Sequence, residues 1–228
     1  MYGILVHMAK EVHIPTNTEV VAFDWDMTLV DSQGKLLQNQ AIAHEFNNPL
    51  TLDEVRHHWN ESTGFADLMA RLTNGAALDD VMTVVKRDYN NPDYKKRAFE
   101  FAVPAVQHVR SLGYKTAIIS GVQRELLEQD ALDLSIPLDS LFDFIQAQDD
   151  CEFKKPDGRV FNPLLKHFGI AATSLLYVGD EEKDFKAASA AGARFIGVET
   201  GMSTAAEFQA LGATYTNTVE GVVLHGNL

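Results

Sequence analysis

The feature that most constrains the fold is Val20-Val21-Ala22-Phe23, a short apolar run without alternation that stops at Asp24-Trp25-Asp26. A run of this kind predicts a strand covered on both faces of a parallel sheet. Ligand sites in such sheets lie just beyond the carboxyl ends of the strands, where Asp24 and Asp26 fall. Two like charges that close repel unless a proton or a cation sits between them. The spacing therefore asks for a divalent metal, a raised carboxyl pKa, or both. An isolated Asp-x-Asp also serves simply to end a strand and begin a turn, so the rest of the chain decides its meaning.

Three further strand ends carry chemistry or glycine. Residues 115–119 read as a strand that ends at Ser120-Gly121, and residues 175–178 as a strand that ends at Gly179-Asp180 with Asp184 opening an alanine-rich helix. Residues 142–147 read as a short strand followed by a polar loop that holds Lys154-Lys155-Pro156, and residues 194–198 as another strand. The intervening helices carry apolar faces at Leu126, Leu127 and Ala131, and at Phe161, Leu164, Leu165 and Phe168, with Pro163 in a first turn and Gly169 as a stop. Alanines 187, 188 and 191 predict a helix that approaches the sheet closely, and residues 204–211 one more helix.

Between residues 32 and 103 the strand–helix rhythm stops and the pattern is helical. Thr51 and Glu54 have the spacing of a capping box. Phe65, Leu68, Met69 and Leu72, then Leu78, Val81, Met82 and Val85, fall at i, i+3, i+4 and i+7. Asn91-Pro92 predicts a capped helix running to about Ala102. The expected organisation is α/β: a Rossmann-like parallel-sheet core of residues 19–31 and 104–228, an inserted α-helical cap of residues 32–103, and an N-terminal extension of residues 1–18.

At 228 residues with 46% apolar side chains, the chain can bury a full core. A formal charge of -13 disfavours nucleic acid and anionic membrane, and leaves any anionic substrate in need of a local positive site. The single cysteine, Cys151, excludes an internal disulfide and fits a reducing compartment. The first 19 residues are interrupted by charge, unlike a secretory segment or a membrane span, so a cytoplasmic location is expected.

Taken in order, Asp24-x-Asp26-x-Thr28, Ser120, Lys155-Pro156, and Gly179-Asp180 with Asp184 resemble the four motifs of the haloacid dehalogenase superfamily, specifically its phosphatases. The resemblance covers residues 19–218. The helical insert resembles the family's first-type cap, as in phosphoglycolate-phosphatase-like members, and such caps close over the active site. Met27 stands where many members have glycine, Ser120-Gly121 replaces a frequent Thr-Asn, and Glu181 takes the place of a small hydroxyl.

The resemblance implies a Mg²⁺-dependent phosphoric monoester hydrolase acting on a small phosphorylated metabolite, with phosphoglycolate or a sugar phosphate as candidates. Asp24 is then the nucleophile and Asp26 the general acid and base, its pKa lifted by burial and its neighbour. The metal set is Asp24 through its side chain, Asp26 through its backbone carbonyl, and Asp180, with Asp184 and Thr28 in support. Ser120, Lys155 and the backbone at Gly121 hold the phosphate. Thr63-Gly64-Phe65 resembles the cap's substrate loop, and Arg56 and Arg71 are available for a second anionic group. Exposed helix faces explain the arginines equally well, and His57 and His58, being adjacent, diverge on a helix and make a poor chelating pair. In isolation Ser120 reads as a helix cap, Lys155 as a solvated charge and Asp184 as a first-turn acid. Two alternatives remain at this point: a phosphomutase of the β-phosphoglucomutase type, whose members usually have Gly-Val where this chain has Met27-Thr28, and a non-catalytic phospho-ligand-binding protein on the same fold.

Overall fold

A computed structural model describes residues 12–62, 64–88 and 90–223. It separates the chain into two compact units, one running to Leu29 and resuming at Ala98, the other comprising Val30–Arg97. The described chain opens with β1 (Val12–His13) and β2 (Val20–Phe23). The second unit follows as β3 (Val30–Asp31), α1 (Gln33–Glu45), α2 (Leu52–Glu61), α3 (Phe65–Leu72), α4 (Leu78–Arg87), a 3-10 turn (Pro92–Tyr94) and β4 (Arg97–Ala98). The first unit resumes with α5 (Ala102–Ser111), β5 (Lys115–Ile119), α6 (Arg124–Asp133), α7 (Leu138–Leu141), β6 (Phe144–Gln146) and α8 (Asn162–Phe168). It ends with β7 (Leu175–Gly179), α9 (Glu182–Ala191), β8 (Arg194–Val198), α10 (Ala205–Ala210), β9 (Thr214–Thr216) and β10 (Val222–Val223).

Six strands form one sheet in the order β6-β5-β2-β7-β8-β9, and every neighbouring pair is parallel. From β2 the chain builds outward first through β5 and β6, then on the opposite side through β7, β8 and β9. The connections therefore reverse direction beside β2, which makes the crevice at its carboxyl end the natural ligand site of such a sheet. Register places Phe23 level with Ile118 on one side and Val178 on the other, so the residues that follow these strands lie at one edge.

The reason β2 forms here is visible in its burial: all four side chains are enclosed, as are those of β7. One core cluster joins Val20, Ala22, Ala117 and Ile119 from the sheet to Phe161, Leu164, Ala187 and Ala188 from the covering helices. Burying each large apolar side chain of this kind stabilises the fold by about 1.5–3 kcal/mol. Ala187 and Ala188 are fully enclosed, and their small side chains let α9 lie close to the sheet. Pro163 sits in the first turn of α8, and Gly169 closes that helix at φ 66°, a left-handed stop that costs glycine nothing.

Within the helical unit, Thr51 and Glu54 form the reciprocal capping box, with bonds of 3.3 and 2.7 Å. Leu68, Met69 and Leu72 bury one face of α3, while Phe65 is half exposed. On α4 the buried line is Val81 and Val84, and Leu78 lies outward. Leu126 on α6 is likewise exposed, so the buried face there is Leu127 and Ala131. The expected helix from Asn91 to Ala102 does not form. Asn91 caps only the turn Pro92–Tyr94, accepting the Asp93 N–H at 3.0 Å. The following Lys95-Lys96-Arg97 offers no apolar stripe, and the backbone pairs as β4 with β3 instead.

Candidate active site

Each motif is placed by a strand or by the turn that leaves it. Asp24 follows β2, and its N–H donates to the Val178 carbonyl at 2.8 Å, which ties it to β7. Ser120 follows β5 and donates its N–H to Gln146 at 2.9 Å. Asp180 follows β7, and Asp184 stands in the first turn of α9. The loop after β6 brings in Lys155.

These residues meet around one ammonium group. Lys155 Nζ lies 2.7 Å from Asp24 Oδ1, 2.6 Å from Asp184 Oδ1 and 3.0 Å from the Tyr177 hydroxyl. The side chains of Lys155, Asp24 and Asp184 are 6%, 7% and 0% exposed, so this is an ion-pair network withdrawn from water. The other oxygen of Asp184 accepts the Glu181 N–H at 3.1 Å and closes the first turn of α9. Asp180 is also enclosed. Its Oδ1 accepts the Thr28 hydroxyl at 3.2 Å, its Oδ2 the Met202 N–H at 2.9 Å, and its carbonyl the Ser203 N–H at 2.9 Å. Among the described residues, ligand oxygens of Asp24, Asp180 and Asp184 lie within 4.8 Å of one another.

Burial sets the charge state of this group. It raises the Asp24 carboxyl to about 7, with Lys155 pulling downward and Asp184 pushing further up. Asp180 is driven well above the usual carboxyl range by burial and then by Glu181, Asp184 and Asp24. Glu181 is raised chiefly by burial, against the pull of Lys183, whose ammonium is 2.5 Å away. Burial also opposes charge on Lys155, but Asp184 and Asp24 outweigh it and hold that ammonium protonated. Four acidic groups, Asp24, Asp180, Glu181 and Asp184, thus share two ammonium groups. Two units of negative charge are left over when all are ionised, which is the charge of one divalent cation. The donors are carboxylate oxygens, suited to a hard ion of the Mg²⁺ type. The chemistry of Asp24, Asp180 and Asp184 therefore fits such a metal.

The remaining candidates are placed as follows. Asp26 is half-buried, and its carboxylate is not a member of the three-aspartate group. Ser120 is buried, and its Oγ accepts the Val122 N–H at 3.0 Å, which leaves the hydroxyl proton to be donated elsewhere. Gly121 is exposed beside it, and Lys154 points to solvent. In the helical unit, Gly64 caps α3, Arg56 pairs with Asp53 at 3.7 Å, and Arg71 pairs with Glu61 at 3.3 Å and Asp67 at 3.1 Å. His57 faces Glu61 at 3.4 Å. Thr63 and residues 1–11 lie outside the described residues.

Sequence reasoning passed over Tyr177, Gly201, Met202 and Ser203. Tyr177 sits inside an apolar run and reads as core; its one signal is a hydroxyl in a strand that is otherwise aliphatic. Gly201 carries no spacing signal at all. Its backbone packs against Asp180 so closely that a Cβ there would lie 1.9 Å from Oδ2. Met27 adopts φ 59°, a left-handed conformation that residues other than glycine rarely take. The Thr200 hydroxyl donates to its carbonyl at 2.5 Å.

The chain matches the family described as haloacid dehalogenase-like hydrolase over residues 21–198. It is 25% identical over 195 residues to a phosphoglycolate phosphatase of Colwellia psychrerythraea, covering 80% of this chain and 85% of that protein. It is 24% identical over 181 residues to the pyrophosphatase PpaX of Bacillus mycoides, covering 78% and 82%. Among solved structures, a HAD hydrolase of family IA, variant 3, from Entamoeba histolytica aligns with a TM-score of 0.72 at 18% identity, covering 90% of this chain and 96% of that one. Among the described residues, no helix is long and apolar enough to cross a membrane.

Proposed function

The chain belongs to the haloacid dehalogenase-like hydrolases, and on that premise we propose that it is a Mg²⁺-dependent phosphatase that hydrolyses a small phosphorylated metabolite through an aspartyl-phosphate. The relatives named for phosphoglycolate and pyrophosphate make small phosphorylated anions the first substrates to test. The observation that carries the reading is the Lys155 ammonium held between Asp24 and Asp184 at the carboxyl edge of the sheet, inside a group of acids with charge to spare.

In the proposed reaction Asp24 attacks the phosphorus of a phosphate monoester in line with the leaving alcohol. The new bond is carboxylate oxygen to phosphorus, and the bond that breaks is phosphorus to ester oxygen. Asp26 gives its proton to the departing alkoxide, then takes one from the water that cleaves the aspartyl-phosphate, which releases phosphate and restores Asp24. Lys155 engages Oδ1 of Asp24, so the second oxygen is the one presented for attack. The Ser120 hydroxyl and the backbone at Gly121 serve the phosphoryl oxygens. Asp24 and Asp180 would hold the metal, with Asp184 beside them and the Asp26 carbonyl completing the expected set. Once bound, the ion neutralises the phosphoryl charge and keeps Asp24 ionised.

The test is phosphate release with Mg²⁺ across a panel of phosphorylated metabolites and pyrophosphate, with Asp24→Asn as background, joined to mass-spectrometric trapping of a phosphorylated Asp24. Phosphate release that depends on Asp24 supports the proposal. Transfer of the phosphoryl group to a second hydroxyl of a sugar phosphate, without free phosphate, would replace it by a mutase. Binding without turnover on every substrate would replace it by a phospho-ligand-binding protein.

A further inference from the structure

Tyr177 lies in the middle of β7, fully buried, with its ring edge-on to Phe161 at 4.9 Å. Packing alone would be served equally by phenylalanine, so the hydroxyl needs its own account. A buried phenol must find partners, and this one has them on two sides. It donates its single proton to the Ile119 carbonyl at 2.9 Å, nearer than Asp184 Oδ1 at 3.4 Å. Its lone pair then receives Lys155 Nζ at 3.0 Å.

An ammonium has three protons and no acceptor. Asp24, Asp184 and Tyr177 take all three, and of these acceptors only the phenol is not a carboxyl group. Ile119 is the residue immediately before Ser120, so one hydroxyl ties together the strand end that carries Ser120 and the lysine from the loop after β6. We infer that Tyr177 is a positioning residue for Lys155: its hydroxyl anchors the ammonium to the end of β5, so that the lysine meets Asp24 and the phosphoryl group in a fixed place. Without that anchor two carboxylates alone would decide where the ammonium sits, and the Ile119 carbonyl would lose its partner. The inference rests on the phosphatase reading above, in which Lys155 faces the substrate.

The test is Tyr177→Phe, which keeps the ring and removes the oxygen, measured beside wild type, Lys155→Gln and the double variant. With Mg²⁺ and the best ester of the substrate panel, kcat/KM should fall about 10–100-fold, the range typical of groups that orient a reacting side chain. The inhibition constant for inorganic phosphate should rise in parallel, with circular dichroism unchanged. In the Lys155→Gln background the same substitution should change phosphate affinity by less than about twofold, because the group it positions is gone. An equal penalty in both backgrounds marks a structural hydroxyl and overturns the inference, as does wild-type behaviour of Tyr177→Phe or its failure to fold. These results are distinct from a wild-type chain that neither cleaves nor binds phosphate, which overturns the phosphatase reading and this inference together.

Discussion

Replacing Gly201 by alanine probes how tightly the site is built. A Cβ at this position would stand 1.9 Å from Oδ2, 2.4 Å from Cγ and 2.5 Å from Cβ of Asp180, separations that real Cβ atoms do not show. The glycine is not in the left-handed region, so alanine meets no backbone penalty and the whole effect is steric. Either Asp180 turns away or residues 200–203 retreat, and both movements break the 2.9 Å bond from the Met202 N–H to Oδ2. Leaving the buried Met202 N–H without its acceptor costs about 1–3 kcal/mol, and the gain from a stiffer unfolded chain returns only about 0.4–1 kcal/mol. The expected net loss is about 1–2 kcal/mol, read as a lower urea midpoint at unchanged slope. Displacing Asp180 should also weaken Mg²⁺ binding about 10–100-fold by calorimetry. Gly121→Ala, where a Cβ meets nothing within 4 Å, is the stability control. Wild-type midpoint and wild-type Mg²⁺ affinity in Gly201→Ala would refute the argument that this loop sets Asp180.

The pH dependence has a definite sign. Asp24 rises from an ordinary 3.8 to about 7 on folding, so the folded state keeps a proton that the unfolded chain has lost. The stability this contributes is present in acid and is lost as pH rises through 7. In EDTA, wild type should therefore lose stability relative to the non-titrating Asp24→Asn by up to about 1.4 kcal/mol per pH unit between pH 5 and 7. A pH-independent difference in urea melts would remove burial as the cause. Because Asp24 must shed that proton to ligate, Mg²⁺ should bind more weakly at pH 5.5 than at pH 8 and release protons on binding, and a titration without either effect would argue against Asp24 as a ligand. Lys155→Met leaves the buried Asp24 and Asp184 without their shared cation, which should cost about 3–5 kcal/mol at pH 8 and less at pH 5. Unchanged unfolding would show that the network contributes nothing. EDTA should abolish phosphate release and Mg²⁺ restore it, and activity persisting in excess chelator would dismiss the metal.

Much of the fold can be read locally because its strands are short, apolar and unalternating. Residues 115–119 and 194–198 form strands at the predicted bounds, and Thr51 with Glu54 forms its predicted cap, since each depends on neighbours a few residues apart. Where the local signal was weaker than the tertiary context the reading failed: residues 95–98 had a cap before them but no apolar stripe, and the strand pairing decided. Leu126 and Leu78 had helical spacing, but spacing does not say which side of a stripe the core will take.

The sequence by itself determined which residues stand at the strand ends, because an apolar run that stops at Asp24, Ser120 or Asp180 leaves those side chains at an edge whatever the order of the strands. Only the tertiary structure decided how they share charge. That the Lys155 ammonium bridges Asp24 to Asp184, and that Tyr177 takes its third proton, depend on contacts between positions up to 131 residues apart. The space beside Asp180 that admits only glycine at 201 is set by the return of the chain after β8. Periodicity reports the face a residue takes on its own element; the partner it meets there is fixed by how separate elements pack.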